Sequence, residues 1–244
     1  MEMGLVQSME SRSRGRPGGP GFAEYLLVVY PHGDLQDRLM EAQQEFSAEY
    51  GLDHRLDRDQ RIANDIFGRN KPHITLATFQ AGEEMEDTLI RWIERICQQH
   101  RSFQLELNNY CGIPPHTPRQ QDANRQPNAT HQPPGAAERI TGTVYLRIQN
   151  PEPLTDLMQQ LGAIDEFIRS SGWPPVRHPF ITNGRLRPYL AIAGGLTEQV
   201  YNKSMPDYSR KTFHGIFPVV ELVLLRRKHS FDPCKTVNVF GLKS

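Results

Sequence analysis

"KPHITLATF", residues Lys71 to Phe79, decides how this chain is read. Aliphatic residues alternate in it with His73 and Thr75, the period-two pattern of a half-buried strand. Residues two apart in a strand project from one face. His73 and Thr75 would therefore point together into a cleft, while Ile74 and Leu76 anchor the strand in a core. Pro72 has no backbone N–H to give a sheet, so the strand should begin there. Taken alone, the stretch is as readily a core strand with one hydrogen-bonded histidine, because short motifs recur by chance. The balance changes with what lies around it.

Upstream, "AEYLLVVYP" (23–31) is a β-rich run closed by Pro31. "DLQDRLMEAQQEFSAEYGL" (34–52) follows, with Leu35, Leu39, Ala42, Phe46 and Tyr50 at helical spacing. The charged segment 53–70 reads as a loop with a short helical turn. Downstream, "EEMEDTLIRWIERICQQH" (83–100) puts Met85, Leu89, Trp92, Ile93 and Ile96 on one helix face, with acidic residues in its first turn to suit the macrodipole. "SFQLELNNYCGI" (102–113) alternates as a strand.

Residues 114–139 are rich in Pro, Gln and Asn and are expected to form a mobile insertion. His116 and His131 fall within it without partners at ligand spacing. Beyond it come a strand in "GTVYLRIQ" (142–149), a helix in "EPLTDLMQQLGAIDEFIRSSG" (152–172), and a strand in "LRPYLAIAGG" (186–195). A short helix is expected within 197–213. "GIFPVVELVLLRRK" (215–228) and "KTVNVFGLK" (235–243) are expected to close the fold as two strands.

The element order repeats. Each half runs strand, helix, intervening segment, then a strand opened by a basic residue and proline: "KPHITLA" (71–77) in the first half, "RPYLAIA" (187–193) in the second. Motif and repeat together resemble the 2H phosphoesterases, a family that includes the proteins called 2′-5′ RNA ligase-like and the RNA cyclic phosphodiesterases. The signature of that family is two copies of His-x-Thr/Ser-x, one in each half of a pseudo-symmetric domain. His73-Ile74-Thr75-Leu76 fits the first copy, whereas the second has Tyr189 and Ala191 where His and Thr or Ser would stand.

The resemblance implies an α+β fold, two pseudo-symmetric lobes of antiparallel sheet with outer helices around a central cleft. It makes residues 22–244 one domain; residues 1–21, rich in Ser, Arg, Gly and Pro and poor in apolar groups, are expected from their composition to be a disordered tail. It also implies a cyclic phosphodiesterase acting on RNA 2′,3′-cyclic phosphate ends or small cyclic nucleotides, with activity reduced or lost. His73, Thr75 and Tyr189 would form the catalytic set, and Lys71 and Arg187, at matched places in the two halves, would bind the substrate's charge. No cofactor or metal is implied. The alternatives are a non-catalytic module that binds a nucleotide or RNA end, and a protein-interaction domain with a vestigial cleft.

Chemistry explains why two histidines would face each other. Imidazoles titrating near neutrality can serve as base and acid on one phosphate ester, while hydroxyls hold the equatorial oxygens. A tyrosine has an unperturbed pKa of about 10 against about 6.5 for histidine. Tyr189 can therefore donate a hydrogen bond but cannot readily be a base. Ala191 has no hydroxyl to offer. His178, in the loop before the second strand, is a candidate substitute, but "HPFIT" has the wrong spacing; His32, just after the first strand, is a weaker one. Arg185, Arg226, Arg227 and Lys228 are further cations near the motif strands.

Bulk composition sets the remaining bounds. Over 244 residues the 28 Lys and Arg balance the 28 Asp and Glu, so no global field draws in nucleic acid or an anionic membrane, and any anion site must be local. Three cysteines without CxxC spacing disfavour a disulfide framework or a zinc site and point to a reducing cytoplasm. No apolar run approaches the roughly 18 residues of a membrane helix, and no signal-peptide core opens the chain.

Overall fold

Leu35, Leu39, Ala42 and Phe46 are all buried, and the helix they define, α1, spans Asp34–Tyr50. Gly51 ends it at φ +67°, a left-handed conformation that costs glycine little. The computed structural model describes residues 22–52, 71–115, 141–170, 181–182, 185–186, 188–228 and 232–244. The expected loop at 53–70, the N-terminal tail and all but the start of the 114–139 insertion lie outside the described residues.

Strand β1 (Phe22–Val29) precedes α1, and β2 (Ile74–Gly82) carries the opening motif. A short 3₁₀ turn, Glu83–Met85, leads into α2 (Glu86–Cys97) and then β3 (Phe103–Ile113). The second half runs β4 (Gly142–Ile148), α3 (Glu152–Ser170), the two-residue strands β5 (Ile181–Thr182) and β6 (Arg185–Leu186), β7 (Tyr189–Leu196) and α4 (Glu198–Tyr208). Strands β8 (His214–Val219), β9 (Glu221–Arg227) and β10 (Lys235–Gly241) complete the order. Two four-stranded antiparallel sheets result, β10-β9-β1-β2 and β7-β4-β3-β8, with β5 and β6 paired apart from them. The fold is α+β, as the sequence predicts.

The halves are tied by exchanged helices. α1 leaves the first sheet and packs on β7 and β8 of the second, where Gln43 Nε2 donates to the Ala191 carbonyl at 3.1 Å and Arg38 Nη2 to the His214 carbonyl at 2.9 Å. α3 leaves the second sheet and packs on β2 of the first. One apolar core therefore takes residues from both sheets and from all four helices, including Leu39, Leu76, Ile93, Leu157, Ile192 and Tyr208.

Two expectations are corrected. "GIFPVVELVLLRRK" is not one strand: it splits at exposed Val220 into β8, an edge strand of the second sheet, and β9, an inner strand of the first. β8 alternates exposed and buried, as a strand covered on one face must, and it holds Pro218 where an edge tolerates a missing N–H. β9 has its middle buried on both faces. The fold thus closes with three strands, not two. Trp92 is 37% exposed, because the buried stripe of α2 is Leu89, Ile93, Ile96 and Cys97 and tryptophan lies on its flank.

Candidate functional site

Ile74 and Leu76 are buried in the core shared by the two sheets, while His73 and Thr75 are only partly buried. The alternation expected of the motif is therefore present. It is then broken: Val28 pairs with Thr75 but Leu27 pairs with Ala77, so Leu76 is the extra residue of a β-bulge. A bulge inserts one residue on one strand only. Here it returns Ala77, Phe79 and Ala81 to the buried face without disturbing Ile74 and Leu76. The motif end of β2 can thus present His73 and Thr75 while the rest of the strand stays anchored.

The His73 ring is held by its own turn. Nδ1 lies 2.9 Å from the Lys71 carbonyl oxygen. A carbonyl can only accept, so the neutral ring carries its proton on Nδ1 and leaves Nε2 as an acceptor. Tyr30, one residue past β1, meets the imidazole edge-on at 5.8 Å between ring centres. Burial holds the imidazole pKa below its usual value, opposed by the hydrogen bond to Lys71. At neutral pH the ring is uncharged. A neutral imidazole held through Nδ1, with Nε2 as its acceptor, has the form of a general base.

The second half repeats this architecture with other residues. Tyr189 opens β7, and Tyr189 and Ala191 are partly buried while Leu190 and Ile192 are buried. Tyr145 pairs with Ala191 but Val144 pairs with Ala193, so Ile192 is skipped as Leu76 is. Each bulge falls three residues past the first motif position, in different sheets. Pro72 and Pro188 are both buried just before their strands. The repeat is therefore structural as well as sequential, and β2 and β7 pack against each other. The Tyr189 ring lies 4.7 Å from that of Tyr145. Burial, and then the neighbouring Tyr145, push the Tyr189 hydroxyl pKa up to about 12. It stays protonated at neutral pH, able to give a hydrogen bond but not to act as a base.

Lys71 is exposed, beside a cavity of about 370 Å³ lined by Tyr30, His32, Lys71, Glu221, Leu225 and Cys234 among others. Tyr30 and Lys71 both touch His73, which puts this cavity next to the imidazole. His32 thus enters the site's surroundings, exposed at the rim. Arg187 and His178 lie outside the described residues, and of Arg185 only the backbone is described. The cations at the end of β9 are committed elsewhere. Arg226 pairs with Glu86 at 2.8 Å, Arg227 with Glu24 at 2.6 Å and Lys228 with Glu83 at 3.6 Å. They brace the far end of the first sheet.

Sequence reasoning missed Tyr30, Tyr145 and Glu221, each brought to its place by strand register. The signal for Tyr30 was present: an aromatic two residues beyond Val28, just past the end of that strand. Among the described residues no group of three or more His, Cys, Asp or Glu is arranged to hold a metal ion, and no helix is long and apolar enough to cross a membrane.

Comparison with known proteins finds a matching family model and similar solved structures. The family model described as the 2'-5' RNA ligase superfamily matches residues 48–230. Among solved structures, TT0787 of Thermus thermophilus aligns with a TM-score of 0.51 at 15% identity, over 90% of this chain and 98% of that one. Usb1 of Kluyveromyces marxianus aligns with a TM-score of 0.39 at 12% identity, over 88% of this chain and 97% of that one. A search of curated proteins returns no match.

Proposed function

Because the chain belongs to the 2'-5' RNA ligase superfamily, a family of 2H phosphoesterases, we propose that it is a slow, one-histidine cyclic phosphodiesterase. Its substrate would be an RNA end or small nucleotide bearing a 2′,3′-cyclic phosphate. The observation that carries this reading is the hydrogen bond from His73 Nδ1 to the Lys71 carbonyl, which leaves the neutral ring's Nε2 as its acceptor.

In the proposed reaction, Nε2 takes a proton from water as the water oxygen attacks phosphorus. A P–O bond forms on one side and the bond to O2′ or O3′ breaks on the other. The departing oxygen takes a proton from the Tyr189 hydroxyl, and the imidazolium returns one to the phenolate, so water and the cyclic ester become a monoester. Thr75 holds an equatorial oxygen and Lys71 its charge. A phenol of pKa about 12 is a poorer acid than an imidazolium. Replacing a matched acid typically costs about 10² to 10⁴ in rate, hence a slow enzyme.

The experiment is hydrolysis of a nucleoside 2′,3′-cyclic phosphate by the native chain and by His73→Ala. Slow turnover that disappears in the variant supports the reading. Turnover equal in the two proteins, or none in the native chain, overturns it. Nucleotide binding without turnover would favour a binding module, a reading for which the adjacent rings of Tyr145 and Tyr189 offer a stacking surface.

A further inference from the structure

The cavity beside His73 has a second polar end. In β9, Leu222 and Leu224 face the main core, while Val223 and Leu225 face the opposite side together with Leu26 and Val28. Alternation places Glu221 on that opposite side too. Val28 pairs with Val223 on one flank and Thr75 on the other, and Val29 pairs with Ile74. Carried two residues past Val28, the register sets Tyr30 between Glu221 and His73. The edge contact of the Tyr30 and His73 rings agrees, and the cavity touches both Tyr30 and Glu221.

Glu221 therefore lies two strand spacings from His73, on the order of 10 Å. That is the span from a ribose-borne phosphate to the far edge of its base. The rest of the lining mixes the flat ring of Tyr30, Leu225 and Cys234 with the polar side chains of Gln36 and Thr236, and Lys71 and His32 also border the cavity. Among the described residues the Glu221 carboxylate has no ion-pair partner, since Arg226 and Arg227 of the same strand are held by Glu86 and Glu24.

An ionised carboxylate only accepts hydrogen bonds, through two oxygens. Guanine alone among the four bases shows two adjacent N–H donors, at N1 and N2, on its Watson–Crick edge; the others show one or interleave a donor with an acceptor. Bases at single-stranded RNA ends are read on that edge. We propose that this cavity is a base site selective for guanine, with Glu221 the residue that reads it. The assignment rests on the phosphoesterase reading above for the position of the phosphate.

The test is calorimetric titration of the full chain with guanosine, adenosine, cytidine and uridine 3′-monophosphates, repeated with Glu221→Gln. The native protein should bind the guanosine nucleotide about tenfold or more tightly than the others, the worth of a bidentate base contact. In Glu221→Gln that preference should fall below about threefold. The comparison among nucleotides on native protein needs no variant, so misfolding of Glu221→Gln cannot conceal the answer. Equal binding of all four, or a guanosine preference that survives Glu221→Gln, overturns the base assignment while cyclic-phosphate hydrolysis lost in His73→Ala leaves the phosphoesterase standing. No binding of any nucleotide, with no hydrolysis, overturns both.

Discussion

Leu76 and Ile192 are bulged at the same step of two different sheets, three residues after His73 and Tyr189. Each is buried, Leu76 fully and Ile192 nearly so. Each anchors the strand end that presents its half of the site. Leu76→Ala and Ile192→Ala should therefore each lower unfolding free energy by about 2 to 5 kcal/mol, read as a drop in the urea midpoint at unchanged slope. A loss well under 1 kcal/mol at either position would show that its bulge is not a packing anchor.

Thr75 shares its face with His73 and is only partly buried, so its hydroxyl can be removed without opening a cavity. Thr75→Val should lower kcat/KM on a cyclic nucleotide about ten- to a hundredfold, the worth of a hydrogen bond to a charged group. The thermal midpoint should stay within about 2 °C. Unchanged kinetics would remove Thr75 from the phosphate contacts.

How much of this was legible beforehand follows from the range of the interactions concerned. The strand at Ile74, the burial of Leu76 and the partial exposure of His73 and Thr75 follow from alternation within a few residues. The buried face of α1 follows from helical spacing in the same way. The break at Val220 is different, because no local pattern says that Val219 pairs in one sheet with Phe103 while Glu221 pairs in the other with Gly241. Arg226 and Arg227 read correctly as cations, but their partners Glu86 and Glu24 are distant in sequence. Tyr30 reaches His73, and Glu221 the cavity beside it, through the register of three strands, which depends on contacts that alternation does not encode.

Cys97 tests the core independently of the site. It is buried on the inner stripe of α2 and its thiol pKa is pushed up to about 12, chiefly by burial. Cys111 and Cys234 are partly buried. A disulfide reagent at about pH 8 should label at most two thiols in the native protein and the third only in denaturant, because the thiolate is the reacting form. Three thiols reacting together under native conditions would contradict the packing of α2.

Tyr189→His would restore a second imidazole at the place where the repeat has tyrosine. An acid titrating near 6.5 replaces one near 12, so hydrolysis at about pH 6 to 7 should rise, by up to about 10². A fall would mean that Tyr189 serves the site in a way that histidine cannot.

The pH dependence of kcat/KM for a nucleoside 2′,3′-cyclic phosphate tests the one-histidine account most directly. His73 must be neutral to take a proton, and its pKa lies below the usual imidazole value. Activity should therefore be lost only as pH falls below about 6.5. Tyr189 must keep its proton, which it holds until about pH 12. The account predicts one ascending limb followed by a plateau through about pH 9, abolished in His73→Ala. A bell with a descending limb near neutrality would reveal a second titrating acid and contradict it.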